Sequence, residues 1–164
     1  MCRIFDNNRG LSLIELVVTM VILSVLASLI LPSARMTSVR VKEIELKRNL
    51  REIRTALDEY KKNYDKAVEE KKIIPSLNKP GGYPETLQVL VDGYDFGGLT
   101  SYKKKFLRKV PGDPFYPVKE GEPAWGMRSY EDEADSSSWG GQDVYDVYSL
   151  SDRTAIDGTK YKDW

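Results

Sequence analysis

Residues Leu11 to Ala34 read LSLIELVVTMVILSVLASLILPSA, and this stretch decides the fold. Its one formal charge is Glu15, and from Leu16 to Leu31 every residue is apolar, Ser or Thr. A helix rises about 1.5 Å per residue and a hydrocarbon core of roughly 30 Å needs about 20 apolar residues, so the stretch is long enough to span a bilayer. Apolar side chains occupy every face, whereas a soluble amphipathic helix carries one stripe. The run is also longer than the apolar part of a cleaved secretory signal, and Pro32 makes a poor cleavage site before Ala34.

A plain single-span anchor accounts for the length but not for two details. One is the abrupt polar-to-apolar junction at Gly10–Leu11; the other is the Glu15 carboxylate, fifth in the apolar run counting from Leu11. An ionised group at bilayer depth costs about 2.5–3.5 kcal/mol or more. Glu15 therefore either lies near the interface and snorkels to water, or meets a cation. Cleavage after Gly10 would supply one, the new α-amino group of Leu11, on the same or a neighbouring chain. Low dielectric strengthens such a pair, and pairing between chains would set their register.

Beyond Pro32 the composition turns charge-rich while the helical period persists. Leu46, Leu50, Ile53, Leu57, Tyr60 and Tyr64 recur at spacings of four and three, and no Gly or Pro occurs between Ser33 and Pro75. This pattern predicts one helix from about Leu11 to about Val68, with Pro32 as its expected kink. Its stripe suits packing on the chain's own C-terminal part better than a coiled coil, and its charged faces are read as solvated.

The remainder is loop-rich. Ile73 to Tyr83 holds two Pro and two Gly, LQVLV after Pro84 reads as a short helix, and Gly93, Gly97 and Gly98 break any regular pattern beyond it. Ser101–Val110 (SYKKKFLRKV) is basic, and is read as a solvated segment with two buried apolar residues. Pro111-Gly112-Asp113-Pro114 is a turn, and strand-like runs occupy Trp125–Tyr130 and Val144–Leu150 around an acidic loop at 131–138. A small antiparallel sheet of about three strands, covered by the amphipathic helix, completes an α+β fold.

Composition removes much chemistry. The 164 residues carry 25 Lys+Arg and 25 Asp+Glu, no His and one Cys. His-based triads, His-ligated zinc, intrachain disulfides and Cys-rich metal sites are excluded. Zero net charge gives no overall case for nucleic-acid binding. Acidic pairs arise by chance in so charged a chain, so none marks a catalytic site and the protein is read as not an enzyme. The mean hydropathy of -0.45 averages an apolar spine with a polar body.

A polar leader ending in Arg9-Gly10, then Leu-Ser-Leu-Ile-Glu-Leu, then an apolar helix with Pro32, resembles the signal of the type IV pilin-like superfamily. GYPETLQVLV, FLRKVPGDPFYP and DVYDVYSLSD near Trp164 are similar to the major, G-type pseudopilins of type II secretion. The resemblance implies a prepilin leader at 1–10, a transmembrane and assembly helix at 11–34, its amphipathic continuation at 35–70, and a periplasmic globular domain at 71–164. It implies that a prepilin peptidase cuts after Gly10 and methylates Leu11, that Glu15 guides assembly, and that Leu11 stands where the family most often has Phe. Removing the leader would also remove Cys2.

The same resemblance implies a pseudopilus subunit of a Gram-negative bacterium, single-pass in the inner membrane. Its partners would be other pseudopilin subunits, the peptidase, an assembly platform and membrane lipid, with no nucleic acid. A type IV pilus pilin for adhesion or motility, and a non-polymerising anchored periplasmic binding module, stand as alternatives. The basic residues Arg35, Arg40, Lys42, Lys47 and Arg48 outnumber Arg3 and Arg9, so the positive-inside rule alone would give the opposite orientation. The subfamily often binds calcium after the YSL strand, which here implicates Asp152 and Asp157, although Arg153-Thr154-Ala155-Ile156 replaces its Gly- and Asp-rich insertion. The bland alternative makes these two residues turn formers, with Asp163 and Trp164 anchoring the C-terminal end.

Overall fold

The computed structural model describes residues 12–75, 81–118 and 123–164, the side chains of 29–35 excepted. The chain divides into two compact units, Met1–Arg40 and Val41–Trp164. Helix α1, Leu13–Glu69, supplies residues to both, within a residue or two of the expected bounds.

In the first unit α1 is apolar and exposed all round, with Leu13 83% and Ile14 72% accessible. Its hydroxyls turn inward on their own backbone. Thr19 donates to the Leu16 carbonyl at 2.9 Å, Ser24 to that of Met20 at 2.8 Å and Ser28 to that of Val25 at 2.7 Å. Such back-bonding satisfies these three hydroxyls without water, which suits an apolar surrounding. Among the described residues no helix is long and apolar enough to cross a membrane. The expected span at 11–34 includes residue 11 and the side chains of 29–35, which lie outside the described residues.

The second unit is built on the expected stripe. Leu46, Leu50, Ile53, Leu57 and Tyr60 are buried, while Tyr64 at its end is half-buried. Tyr60 joins Phe96 and Phe106, with ring centroids 4.9 and 5.6 Å away. Below Glu69 the chain reverses through Lys71 at φ 57, and Lys72 N–H donates to the Ala67 carbonyl at 2.8 Å. This is a helix stop of the kind usually given to Gly.

Helix α2, Gln88–Asp92, buries Leu90 completely and ends at Gly93, whose φ of 87 favours glycine. Strands β1 (Gly126–Arg128) and β2 (Asp146–Tyr148) pair antiparallel with Gly126 opposite Tyr148. A Cβ at Gly126 would collide with the Tyr148 ring, so this position holds the ring flat on the ribbon. About three strands were expected, and among the described residues the sheet has two. The basic segment, read above as solvated, adds no strand to it. It makes one bridge, Tyr94 with Lys104, and then Phe106 and Leu107 N–H both turn to the Leu90 carbonyl at 2.9 and 3.0 Å. Its Leu107 is buried and its Phe106 half-buried, close to expectation.

Leu57→Ala should lower the unfolding free energy of the second unit by about 3 kcal/mol, because a fully buried Leu leaves a cavity. Val21→Ala, on an exposed face, should change it by less than about 0.5 kcal/mol. Guanidinium unfolding in detergent, followed by tryptophan fluorescence, checks both; equal effects would contradict the division of α1 into two environments.

Candidate assembly site

The helix start is organised by Ser12. Its hydroxyl accepts the Glu15 N–H at 3.2 Å, and its carbonyl accepts the Leu16 N–H at 3.1 Å. Ser12 thus caps α1, and Glu15 is the third helical residue. Ser-x-x-Glu is the spacing of a capping box, a signal that treating Glu15 only as a charge overlooks. The exposed Glu15 also stands where unpaired N–H groups make a helix end positive, a setting that suits an acidic side chain. Gly10 and Leu11 lie outside the described residues. Pro32 lies within α1, and its side chain is outside them too.

In the second unit several side chains tie α1 to distant segments, Arg54, Glu43 and Asn49 among them. Arg54 Nε donates to Asp146 Oδ1 at 2.7 Å, and its Nη2 donates to the carbonyls of Val147 and Trp164 at 3.1 and 2.9 Å. Glu43 Oε1 accepts the Ile156 N–H at 2.8 Å and the Tyr161 hydroxyl at 3.0 Å. Asn49 donates to the Gly112 carbonyl at 2.9 Å. The buried Asp113 of the Pro-Gly-Asp-Pro turn accepts Phe115 N–H at 2.7 Å and the Ser149 hydroxyl at 2.5 Å. Charged acceptors give the stronger hydrogen bonds, so the turn is locked to the chain after β2. Sequence reasoning marked the turn but not these partners, which lie up to 118 residues apart and leave no local signal.

Trp164 is anchored as expected. Besides its link to Arg54, its indole N–H donates to Thr159 Oγ1 at 2.7 Å and Lys47 lies 4.0 Å over its ring. Asp163 is exposed. Asp157 Oδ1 accepts both the Thr159 hydroxyl at 2.6 Å and the Thr159 N–H at 3.0 Å, bonds that hold its pKa below the usual carboxylate value. Gly158 follows at φ 89, so Asp157-Gly158 is a turn. Asp152 is exposed beside Arg153. Calcium takes six to eight oxygens. Asp157 Oδ1 is taken by Thr159, and among the described residues no group of three or more Asp, Glu, His or Cys could hold a metal, so any calcium shell here would draw mainly on backbone carbonyls such as those of Leu150 and Ile156.

A second acidic locus emerges beside the sheet. Asp143 is 1% exposed; its Oδ1 accepts Tyr130 N–H at 2.9 Å, and its Oδ2 has no partner among the described residues. Burial pushes its pKa above the ordinary 3.8, against the lowering effect of the Tyr130 N–H. Next to it the rings of Tyr83, Tyr130 and Tyr145 meet at 5.1–6.1 Å. Burial, with Tyr145 close by, raises the Tyr83 hydroxyl to about 12.

Known proteins share parts of this arrangement. Residues 6–31 match the prokaryotic N-terminal methylation motif. The chain is 31% identical over 110 residues to a Pseudomonas aeruginosa protein described as type II secretion system core protein G, covering 66% of this chain and 69% of that protein. No solved structure matches.

Both acidic loci can be probed by melting temperature. A raised folded-state pKa means that the fold prefers neutral Asp143, so its contribution to stability is lost as pH rises above 3.8. Asp143→Asn keeps an acceptor for Tyr130 and should gain stability over the wild type between pH 4 and 7 (about the carboxylate titration range), read as melting temperature against pH; a gap that shrinks as pH rises would contradict it. For the Asp152–Asp157 loop, millimolar calcium or EDTA should move the melting temperature by less than about 1 °C, since a ligand stabilises only in proportion to its binding. A calcium-dependent rise of several degrees would show that the loop does gather a shell.

Proposed function

Because this chain belongs to the family of type II secretion system core protein G, we propose that it works as a structural subunit of a pseudopilus, matured at its N-terminus and polymerised from the inner membrane. The observation that carries this reading is the exposed apolar helix from Leu13 to Ser28, which lies within a matched methylation motif and has its hydroxyls bonded to its own backbone. Residues 1–10 are the leader, 11–34 the membrane and assembly helix, 35–70 its amphipathic continuation and 71–164 the periplasmic domain. Cleavage after Gly10 frees the Leu11 amine, and methylation leaves that amine cationic. In lipid the apolar face of α1 meets acyl chains; on extraction the same surface is covered by neighbouring helices.

Glu15 then offsets the cost of carrying charges into a dry helical bundle. A lone carboxylate there would cost about 2.5–3.5 kcal/mol or more, and the amine of a neighbouring Leu11 neutralises it. With Ser12 capping the helix three residues before Glu15, the pair sets the axial step between subunits. The contact joins different patches on two copies, so it propagates as an open filament. The partners are other pseudopilin subunits, the prepilin peptidase, an assembly platform and membrane lipid. The role is structural, without a catalytic group.

In a host carrying the processing and assembly machinery, Glu15→Ala should insert into the membrane normally and lower filament yield at least tenfold. Mass spectrometry of the wild-type protein should find N-methylated Leu11 as the first residue. Normal filaments from the variant, or an uncleaved Met1 on membrane-inserted wild type, would contradict this function.

A further inference from the structure

The connection between β1 and β2 is the most acidic part of the second unit. Residues 131–143 hold five carboxylates, Glu131, Asp132, Glu133, Asp135 and Asp143, and no Lys or Arg. None of the five forms an ion pair among the described residues. The buried side-chain oxygens without a hydrogen-bond partner among those residues are Ser129 Oγ and Asp143 Oδ2, one at each end of this loop. Ser129 is 1% exposed. Asp132 folds the loop back on itself, since its Oδ2 accepts the Ser129 N–H at 2.7 Å and the Gly140 N–H at 3.0 Å. Those two N–H groups hold its pKa below the usual carboxylate value, so it is charged at neutral pH.

Gly140 marks the point on which the loop converges. A Cβ there would lie 2.3 Å from Gln142 Oε1, 2.8 Å from Ser129 Oγ and 3.0 Å from Asp132 Oδ1, so three oxygens face one place beside the glycine. Gln142 Oε1 and Asp132 Oδ1 only accept, and the Ser129 hydroxyl, which makes no aligned hydrogen bond, holds the one hydrogen of the group. Lone pairs outnumber hydrogens, and a cation satisfies such a set. A water would bring two hydrogens but no charge to a loop of unpaired carboxylates. Hard oxygens in an irregular loop suit calcium, whose shell is adaptable, better than magnesium, which demands near-octahedral geometry.

We infer that Ser129 Oγ, Asp132 Oδ1 and Gln142 Oε1 form a calcium-class cation site that staples the β1–β2 connection. Ser129 directly follows β1 and Gln142 comes shortly before β2, so an ion held by both closes the loop at its base. The site is separate from the Asp152–Asp157 loop, and it stands whether or not the chain polymerises. Only one of its three oxygens belongs to an acid, in keeping with the lack of any metal-holding group of three Asp, Glu, His or Cys among the described residues. One charged ligand puts the affinity beyond the weak end of calcium modules, about 10⁻³ M. Calcium near one millimolar therefore fills a minor part of the site and barely moves the melting temperature, so binding is read locally.

The test uses the full chain in detergent, with terbium(III) as a luminescent stand-in for calcium. An indole excites such an ion only at close range, and the two loops have different indoles. Trp139 adjoins Gly140, whereas Trp164 is bonded to Thr159 beside Asp157. Tryptophan-excited terbium emission should saturate, and calcium at about 10 mM should displace it. Asp132→Asn keeps an oxygen for both N–H groups and should weaken terbium binding at least about tenfold. Gly140 has no positive φ, so Gly140→Ala folds while its methyl enters the cradle, and it should weaken binding similarly. Trp139→Phe should remove most of the emission, while Trp164→Phe and Asp157→Asn should leave it. Emission lost with Trp164→Phe and kept with Trp139→Phe would assign the ion to the other loop and overturn this site. Emission unchanged by both Asp132→Asn and Gly140→Ala, or none that calcium displaces, would leave the three oxygens to water and overturn it as well.

Discussion

Two strands of three residues each cannot bury a core on their own, so the second unit depends on the stripe that α1 lays under it. Leu46, Ile53 and Leu57 are fully buried there, and the ribbon and the segments around it contribute Val147, Trp125, Val144 and Tyr161 to the same core. The polar ties are placed where they keep that packing in register. Arg54 reaches the sheet and the end of the described chain, Glu43 reaches the loop after Ser151, and Asn49 reaches the Pro-Gly-Asp-Pro turn. A helix that packed elsewhere would leave the ribbon with no second layer.

The same helix serves two environments because its sequence changes character while its backbone does not. Up to Ser28 the side chains are apolar on every face; from Leu46 they are apolar on one. That change was legible directly, since periodicity and composition depend only on local sequence. So were α2, both strand positions, the Asp157-Gly158 turn and the burial of Leu107. What was not legible was set by distance. The fate of the basic segment was decided by the Leu90 carbonyl, and Asp113 found Ser149, its partner 36 residues on. No window of sequence contains both halves of such contacts.

The candidate site divides in the same way. Glu15 stood out as the lone charge in an apolar run, but its role at the helix start needed Ser12, three residues upstream, and that spacing was present to be read. For Asp152 and Asp157 the family resemblance suggested oxygen ligands, and the geometry gives Asp157 Oδ1 to Thr159. The turn engages Oδ1 of that carboxylate and not Oδ2, a division that residue type alone does not reveal. Asp143 was hidden in a different manner: it reads as one acid among many until burial sets it apart.

The clamp of Arg54 on Asp146 and on the Trp164 carbonyl joins residues 92 and 110 positions apart. Such separations order events in time. During synthesis at about 5–20 residues per second, the stripe leaves the ribosome roughly 5–20 seconds before the segments that cover it. For that interval the large side chains of the stripe have no native partner, and the second unit cannot close fully, because the last clamp waits on Trp164. High contact order of this kind slows folding, because loop-closure entropy is spent before the distant contacts can repay it.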